Sequence, residues 1–395
     1  MPAVFQSILA FLVVLGVLVF VHELGHYLAA RFVRVHVEVF SIGFGPAITT
    51  WRDRVGTVWK LGWLPLGGYV KLHGHERPEV VVPDEPREPG RIGRAIMRWR
   101  GQSPQPVVAR PVRAAPVVEA NTGRWIPGRV FHEKSVGARA LVVAAGPIAN
   151  FLLAMVLFAV LFATTGRPLI TPVAGDVLPD NAAARAGIQA GDRILSIAGT
   201  PVASFEDIQR IITAHPAETL PITIRRGERT LELPVLTDSR ESGGRKVGML
   251  GIRGGHVEYQ RLTLPEALIG GVTQTWQVTR ETVVGVGQMI TGRRGTEDIG
   301  GPLRIAQLSG QVAQLGLASM ISFISVLSVN LGLINLFPIP VLDGGHLLFY
   351  LAEAIRGRPV PPRAQEYGFR AGLALIAGLF ILATWNDLTH LGIFH

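Results

Sequence analysis

Four long and nearly uncharged stretches divide the chain, at about residues 3–21, 140–163, 317–342 and 371–386. The first three are long enough to cross the roughly 30 Å hydrocarbon core of a bilayer as helices, and the fourth is at the short end of that range. We therefore predict four transmembrane helices. No Lys or Arg precedes the first stretch and no small-residue cleavage site follows it, which favours a membrane span over a signal peptide.

Charge indicates how these spans are oriented. Residues 31–137 hold 17 Lys and Arg against 9 Asp and Glu, whereas residues 166–317 hold 16 against 15. Because basic loops resist translocation, we expect residues 31–137 in the cytoplasm, and the balanced segment and both termini outside. We therefore attribute the net charge of +9 mainly to the basic cytoplasmic segment. Nucleic-acid binding is disfavoured as another explanation, because the basic residues are not interleaved with aromatic ones.

The segments between the spans differ in character. Residues 41–74 alternate turn residues with short β-type runs, which predicts hairpins near or in the membrane. Residues 76–129 are rich in Pro, Arg and Val without a sustained period, which is typical of a largely disordered insertion or a loosely docked loop. Strand-like runs around one helix-like run, 204–215, predict a small β-rich domain, and residues 264–291 have the pattern of an amphipathic helix on the membrane surface.

These patterns predict an α-helical polytopic membrane protein with four transmembrane helices, membrane-associated β-hairpins and an inserted β-rich domain outside the cytoplasm. The expected divisions are the first span with its hairpins (1–75), a cytoplasmic insertion (76–137), the second span (138–166), the β-rich domain (167–256), an amphipathic helix with a linker (257–316) and the last two spans (317–395).

Three ionisable residues, His22, Glu23 and His26, end the first apolar stretch in the order HELGH. Positions four apart share one face of a helix, so the two imidazoles can hold one zinc ion with the Glu23 carboxylate beside it. Zinc lowers the pKa of a bound water to about 7, and a carboxylate base can then take its proton. The alternative, two surface histidines with an ion-paired glutamate, is disfavoured because ionisable groups inside a span are costly and usually functional.

A catalytic zinc usually has three protein ligands, and the chain has no cysteine. Asp343 is the best candidate for the third ligand, because it is the only Asp or Glu between Asp298 and Glu353. Pro338 and Pro340 must interrupt the helix just before it, and such a break, which is tolerated where protein or a water-filled cavity surrounds it, could turn its carboxylate toward the histidines. A helix cap is the alternative role for Asp343. His346 is a rival ligand or a hydrogen-bond donor, and Asn335 either hydrogen-bonds a substrate backbone or joins two helices within the membrane.

Several motifs resemble the bacterial site-2 protease family, most closely its RseP-type members: HELGH, FSIGFGP, PLGGYVKLHG, AAGPIANF and VNLGLINLFPIPVLDGGHLLF. The stretch PDNAAARAGIQAGDRILSIAGTPV resembles a PDZ domain of the circularly permuted bacterial kind, with Gly187 and Gly191 in tight turns. A plain β-domain without a ligand groove is the alternative. The chain has room for only one PDZ domain where the best-known family member has two, and the insertion at 76–129 has no counterpart in the family.

The resemblance implies a zinc-dependent intramembrane endopeptidase of the bacterial inner membrane, with His22, His26 and Asp343 as ligands and Glu23 as general base. It also implies single-span substrates of the anti-sigma-factor type, already trimmed outside the membrane by a site-1-type protease. The competing hypothesis is a non-catalytic membrane scaffold that captures peptides through its PDZ domain. A transporter is disfavoured, because four spans without a recognisable repeat offer no alternating-access pair.

The implied substrate contacts lie in two places besides Asn335. Residues Gly68, Tyr69 and Val70 belong to a hairpin that can pair with an unwound substrate strand, since a sheet edge holds peptide amides open. Gly248 and Gly251 belong to VGMLGI, which looks like the loop that cradles a peptide in PDZ domains.

Overall fold

The computed structural model describes residues 2–74, 130–242, 245–293, 295 and 300–390. The predicted disordered insertion at 76–129 lies outside these residues. The helices are α1 (Pro2–Phe32), α2 (Val136–Thr164), α3 (Ala182–Arg185), α4 (Phe205–Ala214), α5 (Leu264–Ile290), α6 (Pro302–Gln314), α7 (Leu317–Leu336), α8 (Asp343–Arg356) and α9 (Pro362–His390).

The strands of the described residues fall into one pair before α2 and ten short strands between α2 and α5. They are β1 (Val37–Arg52), β2 (Val58–Leu72), β3 (Arg167–Ile170), β4 (Ala174–Val177), β5 (Arg193–Ile197), β6 (Thr200–Pro201), β7 (Thr219–Arg226), β8 (Arg229–Leu236), β9 (Asp238–Ser242), β10 (Arg245–Met249), β11 (Ile252–Gly254) and β12 (Val257–Gln260).

Four of the described helices are long and apolar enough to cross a bilayer, and they cover Phe5–Phe32, Val136–Thr164, Leu317–Leu336 and Pro362–Thr389. Each of the four predicted spans therefore overlaps one of these helices, and the chain fits a polytopic helical membrane protein. The third span ends at Leu336, before the predicted residue 342. Pro338 and Pro340 cause this difference, because proline has no amide hydrogen and cannot continue a helix.

The chain forms two compact units. The histidine unit consists of the described residues of Leu12–Asn150 and Ile334–Ala377. The β-domain unit consists of the described residues of Met1–Phe11, Phe151–Leu333 and Gly378–His395.

In the histidine unit, the long strands β1 and β2 form one sheet, to which each strand contributes two segments. Residues 39–42 pair with 58–61 on one side and with 68–71 on the other, and residues 49–52 pair with the outer side of 58–61. The sheet therefore has four short strands, and 68–71 forms an edge with no further strand beside it in the described residues. Paired β strands therefore cover most of residues 41–74, the segment for which hairpins near or in the membrane were predicted.

The tip of this sheet is fastened to α1. The Asp53 carboxylate accepts hydrogen bonds from the Val55 and Thr57 amides, which close the turn, and also from the Tyr27 hydroxyl at 3.2 Å and the Trp59 indole at 3.1 Å. Because Tyr27 directly follows His26, this carboxylate ties the sheet to the part of α1 that carries the HELGH motif.

The β-domain unit contains a four-stranded sheet in the order β6-β5-β7-β8. Helix α4 packs on it and begins at the predicted cap, where Ser204 and Asp207 form a capping box. Gly187 and Gly191 have positive φ angles of 77° and 91°, as their predicted turns require. The core of this domain is aliphatic and consists mainly of Ile188, Ile194, Ile197, Ile208, Ile212, Ile222, Ile224 and Val235.

One ion pair of this domain has a nearly enclosed carboxylate and a partly exposed guanidinium. Asp192 is 1 % exposed and accepts two hydrogen bonds from the Arg226 guanidinium, at 2.7 and 2.8 Å. Burial alone would raise the pKa of Asp192, but the bonds from Arg226 and from the Gln189 amide outweigh it and hold the pKa below its ordinary value. The pair therefore stabilises the folded domain above the ordinary pKa of an aspartate, and its contribution is lost as the pH falls through the lowered value.

Helix α5 packs side by side with α2 and reaches α7. A Cβ atom at Gly271 would collide with the Met155 carbonyl, and one at Gly270 would lie 3.0 Å from the Phe162 ring. Further along α5, the Thr282 hydroxyl donates a 2.9 Å hydrogen bond to Asn330. The helix predicted at 264–291 is present, and it is followed by a second helix, α6, where a linker was expected.

Candidate metal centre

Helix α1 carries the HELGH motif inside a nearly continuous apolar sequence, so its polar side chains must find partners within the protein. Glu23 is 8 % exposed, and the side chains of His22 and His26 are 12 % and 13 % exposed. The two imidazoles lie four residues apart with their ring centroids separated by 4.8 Å, as expected for neighbours on one helix face.

The Nε2 atoms of both histidines and the carboxylate of Asp343 converge on one point. His22 Nε2 lies 3.2 Å from His26 Nε2 and 3.2 Å from Asp343 Oδ2, and His26 Nε2 lies 3.5 Å from the same oxygen. Among the described residues, these three form the one group of His and carboxylate side chains close enough to hold a metal.

These distances match a tetrahedral zinc site. Ligand atoms about 2.0–2.1 Å from a tetrahedral zinc ion lie about 3.3 Å from one another, which is close to the three separations observed. Two imidazole nitrogens and one carboxylate oxygen are also ligands that zinc prefers, and they leave one of four positions open, as catalytic zinc sites do. The residues present therefore fit a zinc ion held by His22, His26 and Asp343.

Helix α2 supports His26 at very close range. His26 Nδ1 donates a 2.8 Å hydrogen bond to the Val142 carbonyl, which leaves Nε2 free to bind a metal. One turn later, a Cβ atom at Gly146 would collide with the His26 ring, and one at Gly25 of α1 would collide with the Ala145 carbonyl. Glycine at these positions lets the two backbones approach closely enough for the hydrogen bond to form.

Asp343 reaches the histidines because α8 begins there. Its neighbours Gly344 and Gly345 are buried, and side chains at those positions would collide with carbonyls of the segment between α7 and α8. The far end of α8 is fixed to α2 by an ion pair, in which Arg139 Nη2 lies 2.7 Å from Glu353 Oε1. The Arg139 guanidinium also lies 4.9 Å from the centre of the Tyr350 ring, a cation–π distance.

The remaining residues singled out from the sequence have different surroundings. The His346 ring packs beside Phe369, with 5.4 Å between centroids, and is not one of the three converging groups. Asn335 is half-buried in the last turn of α7, within the histidine unit. Gly248 and Gly251 lie in the β-domain unit, where a side chain at Gly248 would collide with the Ile212 carbonyl at the end of α4.

Gly68, Tyr69 and Val70 lie in the edge strand of the β1–β2 sheet, close to α1. A Cβ atom at Gly68 would lie 2.9 Å from the Val19 side chain and 3.0 Å from Cγ of Glu23. Tyr69 stacks with Phe44, with 6.1 Å between their ring centroids. The open edge of the sheet therefore runs beside the turn of α1 that carries Glu23.

One residue in contact with the site was not predicted from the sequence. The side-chain amide of Asn150 on α2 lies 3.2 Å from Nδ1 of His22. Val142, Gly146 and Asn150 are four residues apart and so share one face of α2. That spacing is visible in the sequence, but it points to the histidines only once the two helices are known to be neighbours.

A His–His–carboxylate site with a buried glutamate beside it, whose histidines lie on a helix apolar enough to cross a membrane, is typical of a membrane-embedded zinc metallopeptidase. The family described as Peptidase family M50 matches residues 10–379. The chain therefore belongs to the M50 peptidases, the site-2 protease family, and it is a zinc-dependent metalloendopeptidase.

Curated relatives agree with this assignment. A putative zinc metalloprotease of Rhizobium meliloti is 41 % identical, over 98 % of this chain and 97 % of its own length. Metalloprotease MmpA of Caulobacter vibrioides is 36 % identical, over 98 % of this chain and 96 % of its own length. Zinc metalloprotease RasP of Geobacillus kaustophilus is 32 % identical, over 97 % and 98 %.

The contact between Gly146 and His26 leads to a prediction. We expect Gly146→Ala to weaken zinc binding about tenfold or more, because the new methyl group displaces an imidazole from its supporting carbonyl. Helix propensity alone would favour alanine by about 1 kcal/mol. Zinc content after dialysis against a chelator measures the effect.

The matched control for this change is Gly137→Ala in the same helix, where a Cβ atom meets nothing within 4 Å. It should retain zinc like the unchanged protein. Equal zinc retention by the two variants would show that the close contact at Gly146 does not shape the site.

Proposed function

We propose that the protein cleaves single-span membrane proteins within or near the bilayer, with zinc on His22, His26 and Asp343 and with Glu23 as general base. The observation that carries this proposal is the convergence of three ligand atoms, 3.2 to 3.5 Å apart, beside a buried glutamate. The segments that bring them together are α1 and the start of α8, which are far apart in the sequence.

The chemistry divides between the metal and the protein. Zinc, when bound, supplies Lewis acidity toward the scissile carbonyl and makes water acidic enough to attack near neutral pH. The Glu23 carboxylate takes a proton from the attacking water and returns it to the amine nitrogen when the carbon–nitrogen bond breaks. His22, His26 and Asp343 keep their positions throughout, and the surrounding apolar side chains limit the entry of other water.

The substrate must be extended where it is cut, because the amides of a helix are already hydrogen-bonded. We propose that the cleaved segment adds as a strand to the edge formed by Gly68, Tyr69 and Val70. The packing of Gly68 beside Val19 and Glu23 supports this, since a strand added there starts next to the general base. Asn335, in the same unit, is proposed to hydrogen-bond the substrate backbone.

The β-rich domain is proposed to be a PDZ domain outside the cytoplasm that receives substrates already trimmed by another protease. The loop containing Gly248 and Gly251 is the proposed peptide contact, and both glycines allow it to pack tightly, against α4 and against Asn181. We place the protein in the bacterial inner membrane, with residues 31–137 in the cytoplasm. We propose single-span membrane proteins of the anti-sigma-factor type as its substrates.

The role of Glu23 can be tested without disturbing the metal. We expect Glu23→Gln to reduce cleavage of a single-span substrate by about 10²- to 10⁴-fold while zinc content is unchanged, because only the proton acceptor is lost. Product formation and metal content are measured on the same preparation. His22→Ala is the comparison, and it should lose both cleavage activity and bound zinc. Unchanged cleavage by Glu23→Gln would rule out the proposed role of Glu23 as general base.

The edge strand makes a separate prediction. Gly68→Ala places a methyl group 2.7 Å from the Ser41 carbonyl and 2.9 Å from Val19, so the strand must move away from α1. We expect a higher KM and normal zinc content. Gly16→Ala on α1, where a Cβ atom meets nothing within 4 Å, is the control. A KM equal to that of the control would count against strand addition at this edge.

The β-rich domain can be removed at a natural junction. Ile170 of β3 pairs directly with Val257 of β12, so residues 171–256 can be replaced by an Asn-Gly turn between two strands that already pair. If the domain excludes bulky substrates, this variant should cleave untrimmed substrates that the full chain leaves intact. If the variant cleaves trimmed substrates but leaves untrimmed ones intact, the domain does not exclude bulky substrates.

A further inference from the structure

We propose that Asn150 is a positioning residue for the metal centre, which accepts the Nδ1 proton of His22 and so directs Nε2 toward the zinc ion. This inference rests on the zinc site proposed above. It begins with an unusual residue, because Asn150 is fully buried within a helix that crosses the membrane. A buried amide without suitable partners costs several kcal/mol, so its position calls for a reason.

The two histidines are supported by the same face of α2. His26 donates from Nδ1 to the Val142 carbonyl at 2.8 Å, and His22 Nδ1 lies 3.2 Å from the amide of Asn150, two helical turns further along. Since α1 and α2 are antiparallel here, the earlier histidine meets the later residue of α2. Each imidazole therefore has one nitrogen toward Asp343 and the other toward α2.

The chemistry of imidazole decides what Asn150 must do. A neutral histidine that binds a metal through Nε2 carries its proton on Nδ1, and that proton needs an acceptor. For His26 the acceptor is a backbone carbonyl. For His22 the group in reach is the Asn150 amide, whose oxygen can accept and whose nitrogen can only donate.

The Asn150 amide must therefore turn its oxygen toward His22 when zinc is bound. In the structure it is the Asn150 nitrogen that lies 3.2 Å from Nδ1, which suits the tautomer that carries its proton on Nε2, toward Asp343. Half a turn about the last side-chain bond exchanges the oxygen and the nitrogen at the same place. An asparagine can thus serve His22 in both tautomers, whereas a carboxylate serves only the one that binds zinc.

Two substitutions separate the acceptor role from a role in packing. Asn150→Leu keeps the size and removes the hydrogen bond, and we expect it to raise the Kd for zinc about 10- to 100-fold. Asn150→Asp keeps an acceptor and removes the donor, and its Kd should remain close to that of the unchanged protein. The Kd is measured on the purified full chain by competition with a chromophoric chelator, and the absorption spectrum of the Co²⁺ form reports the ligand geometry.

The matched control is Asn330→Leu. Asn330 is another asparagine inside a spanning helix, and its oxygen accepts from Thr282 rather than from a histidine. This variant should bind zinc normally and give an unchanged Co²⁺ spectrum, although it also loses a hydrogen bond within the membrane.

The outcomes are distinct. Tight binding by Asn150→Asp supports the acceptor role even if Asn150→Leu does not fold. A Kd for Asn150→Asp raised as far as that of Asn150→Leu would overturn it, as would an unchanged Kd in a folded Asn150→Leu. Failure of the unchanged protein to bind zinc would contradict the proposed zinc site itself. If the unchanged protein binds zinc and the Asn150 variants bind it equally well, only the proposed role of Asn150 is contradicted.

Discussion

The close approach of α1 and α2 is the constraint on which the histidine unit depends. Between lipid tails there is no hydrophobic force to draw helices together, so close packing and hydrogen bonds must hold them. Gly25 and Gly146 remove the side chains that would keep the backbones apart. As a result, a main-chain carbonyl reaches His26 and a side-chain amide reaches His22, and these contacts help to orient the two imidazoles.

The segment between α7 and α8 interrupts the helical backbone just before Asp343 while several of its amides remain hydrogen-bonded. Its two prolines have no amide hydrogen. Ile339 and Leu342 donate to the carbonyls of Phe337 and Ile339, at 2.7 and 2.8 Å. This non-helical segment supplies the change of direction that presents the carboxylate of Asp343 to the histidines.

The sequence predicted what depends on local pattern: the four spans, the helix cap at Ser204 and the pairing of His22 with His26. Asp343 was predictable because acidic residues are scarce near the third span. Asn150 and Gly146 were not, because their roles depend on which face of α2 meets α1, and apolar spans show no periodicity that reveals it. The pairing of two separate segments of β1 with β2 was not predictable for a similar reason, because long-range strand pairing leaves no local pattern in the sequence.

The arrangement of the edge strand suggests how hydrolysis within the membrane is limited to suitable substrates. Unwinding a helix in lipid exposes amides at a cost of several kcal/mol each, so a substrate can extend only where new hydrogen bonds replace the lost ones. In the proposed mechanism, the edge at Gly68 to Val70 supplies those bonds beside Glu23. Substrate helices that contain Gly or Pro are less stable, so extending them costs less free energy. In the proposed mechanism, such substrates therefore bind to the edge strand more often than stable helices do, and the choice between substrates is made before any bond is cut.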